Sequence, residues 1–326
     1  MDVEFERVDW RYVSPHRIAY KSQTLSQTVV VKLADGSFVG RGEALGVSYH
    51  GETATTIWDQ LEAVKKDLRG NLSRRDLAGL LPAGGARNAV DCALWDLEAK
   101  RSGQRAWRLA GLHDVHPLLT AYTLGIDTPE AMGAAAGGLR QYSLLKVKLA
   151  GDDDDVARVA TIRKLRPDAD IIVDANQSWS EEQLWKLTPR MAELGVKLIE
   201  QPLPVGKDEA LAGFRSPVPL CADESCQVAD SLPALVGKYQ FVNIKLDKTG
   251  GMTEAFNLVS AAQKAGFKLM IGCMGGSSLS MAPGFLVGQF CDVVDLDGPP
   301  LLTSDVPHGI RYDGSVMMPP EMELWG

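Results

Sequence analysis

Six short apolar runs in this chain each end in a charged residue: Leu144–Lys148 (LLKVK), Ile171–Asp174 (IIVD), Lys197–Glu200 (KLIE), Pro219–Asp223 (PLCAD), Phe241–Lys245 (FVNIK) and Val293–Asp297 (VVDLD). Runs of about 4–8 apolar residues read as buried strands, whose interiors rarely tolerate charge. Charges at successive run ends, spaced by about one strand–helix unit, imply a parallel sheet with a single polar site at the ends of its strands.

From Pro117 onward the pattern predicts strands over 118–124, 144–149, 171–175, 197–201, 219–223, 241–245, 268–273 and 293–297. Helical segments fall over 154–165, 180–194, 252–265 and 278–290. Such a series suggests a small (β/α)8-type barrel. A doubly wound open sheet is the structural alternative, but polar residues at nearly every strand end suit a closed ring better than one crevice. Residues 1 to about 115 lack the repeat. Strands are expected over 2–10 and 28–34, with Asp35-Gly36 as a hairpin turn before Ser37–Arg41. Helices are expected over 52–68 and 85–100, the second closed by Ser102-Gly103. The expected division is an α+β capping domain over 1–115, a barrel over 116–304, and a tail over 305–326 that packs back on the cap.

With 45% hydrophobic and 23% charged residues, the 326-residue chain can build a sizeable core. A net charge of −8 without a basic run argues against nucleic acid or an anionic membrane as partner. The N-terminal MDVEFERVDW has no signal-peptide pattern, and no window nears about 18 consecutive apolar residues, so a cytoplasmic protein is expected. The five cysteines form no C-x-x-C pair and read as buried free thiols. Lys248-Thr249-Gly250-Gly251 lacks the spacing of a phosphate loop, and no G-x-G-x-x-G is present. Asp152–Asp155 reads as a solvated helix start.

Residues i and i+2 on a strand share a face, so Lys146 and Lys148 point one way, as do Asp174 and Asn176, and Asp295 and Asp297. Asn243, Lys245 and Asp247 form a third set if their strand extends that far. Asp174, Glu200 and Asp223 lie on successive strands. Three close carboxylates repel unless protonated or bridged by a cation, and hard oxygen donors favour Mg²⁺ over zinc. Singly, each acid could equally pair with a lysine. Lys148 and Lys245 approach from opposite sides of a barrel, and a lysine base loses its proton more readily near a cation or a second lysine. Two opposed bases suit proton removal from one face of a carbon and return to the other. Cys273, Met274 and Gly275 lie in a Gly272–Gly276 loop whose N–H groups could hold a carboxylate or a peptide.

At these residues the chain resembles the enolase superfamily, in its muconate-lactonizing subgroup. The resemblance is carried by K-x-K (Lys146–Lys148), VDANQSW around Asp174, IEQPL around Glu200, CADES around Asp223, NIKLDKTGG around Lys245, and ARNAVDCALWDLEAK (Ala86–Lys100). It implies a modified (β/α)7β barrel under an α+β cap, with Mg²⁺ on Asp174, Glu200 and Asp223. It implies Lys148 and Lys245 as the acid/base pair and Lys146 as support for the developing enolate, with Asn176, Glu224 and Asn243 beside the ligands. Asp295-Leu-Asp297 resembles the D-x-D pair with which dipeptide epimerases bind a substrate ammonium group. An ammonium would satisfy both acids, whereas an N-acyl group or a cycloalkadiene acid would leave them unpaired. Ala-Glu epimerases carry a loop arginine for the glutamate side chain. The corresponding loop, Ser14–Thr28, brings Gln23 or Thr24 to that place, with Lys21 and Arg17 as nearby cations. The implied reaction is epimerisation of a small dipeptide, L-Ala-D/L-Glu from murein turnover being the leading substrate. A homo-oligomer is compatible with this. The alternatives are N-acylamino acid racemisation, cycloisomerisation, or a non-catalytic relative. The last would be expected to lack a ligand or a lysine, and none is missing.

Overall fold

The computed structural model describes residues 1–70 and 72–326. The chain opens with an antiparallel sheet of β1 (Asp2–Ile18), β2 (Lys21–Asp35) and β3 (Phe38–Ala44). Gly36 makes the second turn at φ 61°. The segment expected as a loop over 14–28 is instead the outer end of the β1–β2 hairpin. Its ladder runs to Arg11↔Leu25 and resumes at His16↔Gln23, so Tyr12–Pro15 bulge opposite Thr24 alone. Pro15 cannot donate to a ladder, which favours a bulge at this point. Four helices complete the cap: α1 (Ala54–Leu68), α2 (Arg74–Leu80), α3 (Gly85–Ser102) and the short α4 (Ala106–Leu109). Gly103 ends α3 in the left-handed region, as its Ser-Gly stop signal predicts.

The second half follows as β4 (Leu118–Leu119), β5 (Tyr122–Leu124), α5 (Pro129–Gly138), β6 (Leu144–Lys148), α6 (Asp155–Leu165), β7 (Asp170–Asp174), α7 (Glu181–Glu193) and β8 (Val196–Glu200). It continues as β9 (Leu220–Ala222), β10 (Phe241–Ile244), α8 (Leu246–Thr249), α9 (Met252–Lys264), β11 (Lys268–Ile271), α10 (Ser278–Gly288), β12 (Val293–Val294), β13 (Tyr312–Asp313) and β14 (Val316–Met317). Strands β5 to β12 lie side by side in sequence order as one eight-stranded parallel sheet. Its ends meet at a Thr120↔Val294 bridge, where Ala121 N donates to Val294 O at 2.9 Å. The barrel thus closes along a narrow seam. Short 3₁₀ turns over 208–211 and 229–234 stand after β8 and β9 where a full unit would place helices.

The strand pleat explains why charge is tolerated. Val147, Val173 and Ile199 face the helices in the main core. Leu144, Ile172, Leu198, Cys221, Phe241 and Met270 fill the barrel's interior floor. One step further along the same inward faces stand Lys146, Asp174, Glu200, Asp223 and Asn243.

Several expectations are corrected. The strand expected over 118–124 is split: β4 pairs with tail strand β14, and only β5 joins the barrel. The last strand ends at Val294, leaving Asp295 and Asp297 just beyond it. Strand β10 stops at Ile244, and Asp247 turns into the cap, accepting Leu45 N and Gly46 N at 3.2 and 2.9 Å. The acidic run is not solvated throughout. Asp155 is fully buried and accepts from Ala150 N, Gly151 N and Trp179 Nε1. Cys92, Cys221 and Cys226 are buried, while Cys273 and Cys291 are half-buried, all as free thiols. The tail returns to the cap, where Trp325 Nε1 donates to Arg41 O and Cys92 O. Among the described residues no helix is long and apolar enough to cross a membrane.

Candidate active site

At the C-terminal ends of the barrel strands, lysines and carboxylates interleave. Lys148 Nζ lies 2.6 Å from Asp174. Lys146 Nζ lies 2.6 Å from Asp295, 2.7 Å from Glu200 and 3.3 Å from Asp174. Across the mouth, Lys245 Nζ lies 2.7 Å from Asp223. Lys148 ends β6 and Lys245 follows β10, four strands apart in an eight-stranded ring. Glu200, on the strand midway between them, takes Asn243 Nδ2 at 2.7 Å. The backbone is shaped for this. Asn176 and Gln201 adopt positive φ (43° and 32°) just past β7 and β8, a conformation uncommon outside glycine and concentrated at functional sites. Asn176 N donates to Asp174 Oδ1, and Gln201 Oε1 receives Asp223 N.

Burial and neighbouring charge divide the titrating groups. Burial alone would lower Lys146 and Lys245, but Asp295 and Glu200 around the first, and Asp223 and Glu200 around the second, hold both well above the ordinary lysine value. The lowering expected from sequence concerned the two base lysines beside a bound cation; with no cation present, the carboxylates set the direction at Lys245. Asp223 is held low by Lys245 and Lys248 in spite of its burial. Burial and Asp174 push Glu200 up to about 7. Burial and Asp223 push Glu224 up to about 8. Burial and Asp295 push Asp297 up to about 7.

The three strand-end carboxylates turn toward lysines. Among the described residues no trio of His, Cys, Asp or Glu is gathered tightly enough to form a ready metal cage. The donor chemistry nevertheless fits a hard divalent cation. Three carboxylates converge, and Glu224 Oε2, Asn176 Oδ1 and Asn243 Oδ1 are buried beside them without a hydrogen-bond partner. Glu200 Oε2 is within ion-pair distance of Lys146 but is not aligned for a hydrogen bond.

Asp295 and Asp297 stand at the seam. Thr123 N donates to Asp297 Oδ2 at 2.6 Å, so a carboxylate takes the place of a ladder bond between last and first strands. Cys273, Met274 and Gly275 line the same cavity. Their loop is tied to the cap through Glu43, which accepts Ser277 N at 3.2 Å, Trp10 Nε1 at 2.7 Å and Thr28 Oγ1 at 2.6 Å.

Gln23 and Thr24 lie elsewhere, in a separate cleft with Lys21 and Glu52. Gln23 reaches the cavity only by donating to the Tyr12 hydroxyl at 3.3 Å. Arg17 is engaged outside by Asp127 at 2.9 Å. The roof is instead Tyr12 and His16, stacked at 5.3 Å. Tyr20 and Tyr49 cover the side of Asp223 and Glu224, and their hydroxyl pKa values are raised by burial and those negative charges. None of these four is legible from strand-end periodicity, since all come from the cap. Lys248 was also passed over. Its ammonium donates to Asp223 Oδ1 at 2.7 Å and to the carbonyls of Asp223 and Asn243. Its position three residues after Lys245 was the available signal.

Residues 1–111 match the family described as mandelate racemase / muconate lactonizing enzyme, N-terminal domain, and residues 130–320 match the enolase C-terminal domain-like family. The chain belongs to the enolase superfamily. Within the superfamily it is an isomerase of the racemase and epimerase kind, and its similarity runs to the dipeptide epimerases. It is 44% identical to an N-acetyl-D-glutamate racemase of a Pseudoalteromonas species, over 91% of this chain and 95% of that one. It is 42% identical to the L-Ala-D/L-Glu epimerase of Escherichia coli K12, over 93% and 95%. The enolase-type fold is shared with a solved Agrobacterium tumefaciens protein described as homologous to dipeptide epimerases, with bound sodium, L-Ala-L-Glu and an ordered loop. The TM-score is 0.97 at 41% identity, covering 99% of both chains. A dipeptide epimerase of Methylococcus capsulatus, solved with Mg and L-Arg-D-Lys, matches at TM-score 0.91 and 29% identity, over 98% and 97%.

Proposed function

We propose that this enolase-superfamily member is a Mg²⁺-dependent dipeptide epimerase. It inverts the α-carbon of the C-terminal residue, with L-Ala-D/L-Glu as leading substrate. The observation that carries the reading is the opposition of Lys148 and Lys245 across three carboxylates, with a second acidic pair at the seam. Asp174, Glu200 and Asp223 would hold the cation, which supplies Lewis acidity to the substrate carboxylate. One lysine removes the α-proton and the other delivers a proton to the opposite face, so the centre inverts without net redox change. Lys245, opposite Lys148 across the cluster, is the donor in the direction where Lys148 is the base. Lys146 adds positive charge where the enolate develops. Asp295 and Asp297 receive the ammonium of the first residue.

A second reading has its own support. The N-acetyl-D-glutamate racemase is as similar as the epimerase, and Asp295 already has Lys146 as a partner. The protein is incubated with Mg²⁺ in D₂O with L-Ala-L-Glu or with N-acetyl-L-glutamate. The proposal expects deuterium at the glutamate α-carbon and loss of optical rotation with the dipeptide. Exchange with the N-acetyl compound alone would replace it with the second reading.

A further inference from the structure

We infer that Asp208 and Tyr239, which lie outside the catalytic cavity, are positioning residues for the metal-binding end of β9, acting through the side-chain amide of Gln201. This rests on the reading of Asp174, Glu200 and Asp223 as the cation's ligands and deepens it. The need for such support arises from the fold. Strands β8 and β9 pair at only two positions, Ile199↔Leu220 and Glu200↔Cys221. Strand β9 ends at Ala222, one residue before Asp223. Each of the two strands is followed by a 3₁₀ turn where a full unit would carry a helix. Two of the three strand-end carboxylates therefore stand on short ladders without that support.

A polar cluster takes its place. Gln201 is fully buried, and its side chain crosses from the end of β8 to the end of β9. Its Oε1 accepts Asp223 N at 2.9 Å and Ser225 N at 3.1 Å, so a side chain prolongs the ladder past β9. Its Nε2 donates to Leu203 O at 2.9 Å, Ser225 Oγ at 3.0 Å and the Tyr239 hydroxyl at 3.2 Å. Both hydroxyls in turn donate to Asp208, Ser225 Oγ at 2.9 Å. A carboxylate only accepts, so each hydroxyl directs its one proton to Asp208 and keeps only lone pairs for Gln201. Burial and Asp208 raise the Tyr239 hydroxyl above its ordinary value, which keeps that proton in place. The amide nitrogen must then face the hydroxyls and Leu203 O, and the amide oxygen must face the N–H groups of Asp223 and Ser225. Without Asp208 the hydroxyls are free to donate to Oε1. A turned amide would set its NH₂ against two N–H groups, leaving them unsatisfied and releasing the backbone that carries Asp223.

The test is Mg²⁺ affinity by titration calorimetry without substrate, with urea unfolding of the same samples. Asp208→Ala should weaken Mg²⁺ binding at least about tenfold. Tyr239→Phe removes one oxygen and keeps the ring. It should weaken binding in the same direction, and it serves as the test should Asp208→Ala not fold. Gln201→Glu sets acceptor against acceptor and should also weaken binding at least about tenfold. Adding Asp208→Asn to Gln201→Glu should restore part of that loss, because the hydroxyls then donate to the new carboxylate and accept from the new amide. Lost packing alone would give no such recovery. Lower stability with unchanged Mg²⁺ affinity in the folded single variants overturns the inference and leaves the metal reading intact. A double variant that binds no more tightly than Gln201→Glu overturns it as well. Wild-type protein that binds no Mg²⁺ overturns both, so the two failures are distinct.

Discussion

Lys148 and Lys245 each meet one carboxylate of the arc from its own side, at 2.6 and 2.7 Å. If they divide the proton transfer, neither can do the other's half. Lys148→Ala and Lys245→Ala should each lower epimerisation by at least about 10³-fold. Each should retain solvent deuterium exchange from only one epimer of the substrate, read by NMR in D₂O. Exchange from both epimers in either variant would refute two opposed bases. Asp297 gives a pH prediction. Burial and Asp295 raise its carboxyl to about 7, so it is neutral below that pH and anionic above. An ammonium needs the anion, so kcat/KM should climb between pH 6 and 8 until the substrate amine itself loses its proton near about 8. Asp297→Asn should flatten this climb and cost about 10–100-fold in kcat/KM. At this scale the chain was legible wherever a charge ended an apolar run. Tyr12, His16, Tyr20 and Tyr49 were not, because an aromatic residue in a hairpin or a short turn of the cap looks the same whether it covers a site or a neighbouring strand.

One face of α3 grips the turn that carries the Lys245 end of the site. Arg87 donates to Thr249 O and Gly250 O at 2.7 and 3.2 Å, at the end of α8. Asp91 accepts Thr253 N and Thr253 Oγ1 at 2.9 and 2.6 Å, at the start of α9. Gly250 and Gly251 have φ of 76° and 118°, and a Cβ on them would lie 2.3 Å from Arg87 and 2.5 Å from Asp91. The Lys-Thr-Gly-Gly sequence is therefore a docking turn for the cap. Asp91→Ala should cost about 1–2 kcal/mol of stability through the lost cap. Burial raises Asp91 to about 6, above its unfolded value of about 3.9. A raised carboxyl stabilises most below the unfolded value and loses that contribution as pH rises through 6. Urea unfolding from pH 4 to 8 should show a wild-type loss at this step that Asp91→Asn lacks. The α3 helix was legible to within two residues from its periodicity and its Ser-Gly stop. Its partner turn was not, because the contact joins residues about 160 positions apart. The hairpin was missed for a related reason: 14–28 mixes polar and apolar residues, and its strand pairing is fixed by the neighbouring ladder.

Across the whole molecule, the closed ring gathers charges from strands spread over half the chain, and the cap seals them from water. Lys146, Lys148, Lys245 and Lys248 face Asp174, Glu200, Asp223 and Asp295 in ion pairs of 2.6–3.3 Å. Glu224 and Asp297 are buried beside them. The order of signs along the chain showed the ring and its polar end. It did not show the pairing, because which lysine meets which acid depends on barrel closure and on the tail folding back. That pairing makes a prediction about metal. The four lysines face these acids, of which Glu200 is pushed up to about 7, and the neighbouring Glu224 and Asp297 are pushed up to about 8 and 7. A divalent cation entering the cluster adds two positive charges to a buried, nearly neutral site. The least costly compensation is loss of protons from these carboxyls or from the lysines. Mg²⁺ binding at pH 7 should therefore release about one to two protons, and its affinity should strengthen as pH rises from 6 to 8. Titration calorimetry in two buffers of different ionisation enthalpy measures the release directly, without reference to activity. Asp174→Asn should weaken binding. Tight Mg²⁺ binding with no proton release and no pH dependence would mean that the cation sits outside the carboxylate cluster, and the arc of Asp174, Glu200 and Asp223 would then be a lysine-paired scaffold rather than a metal site.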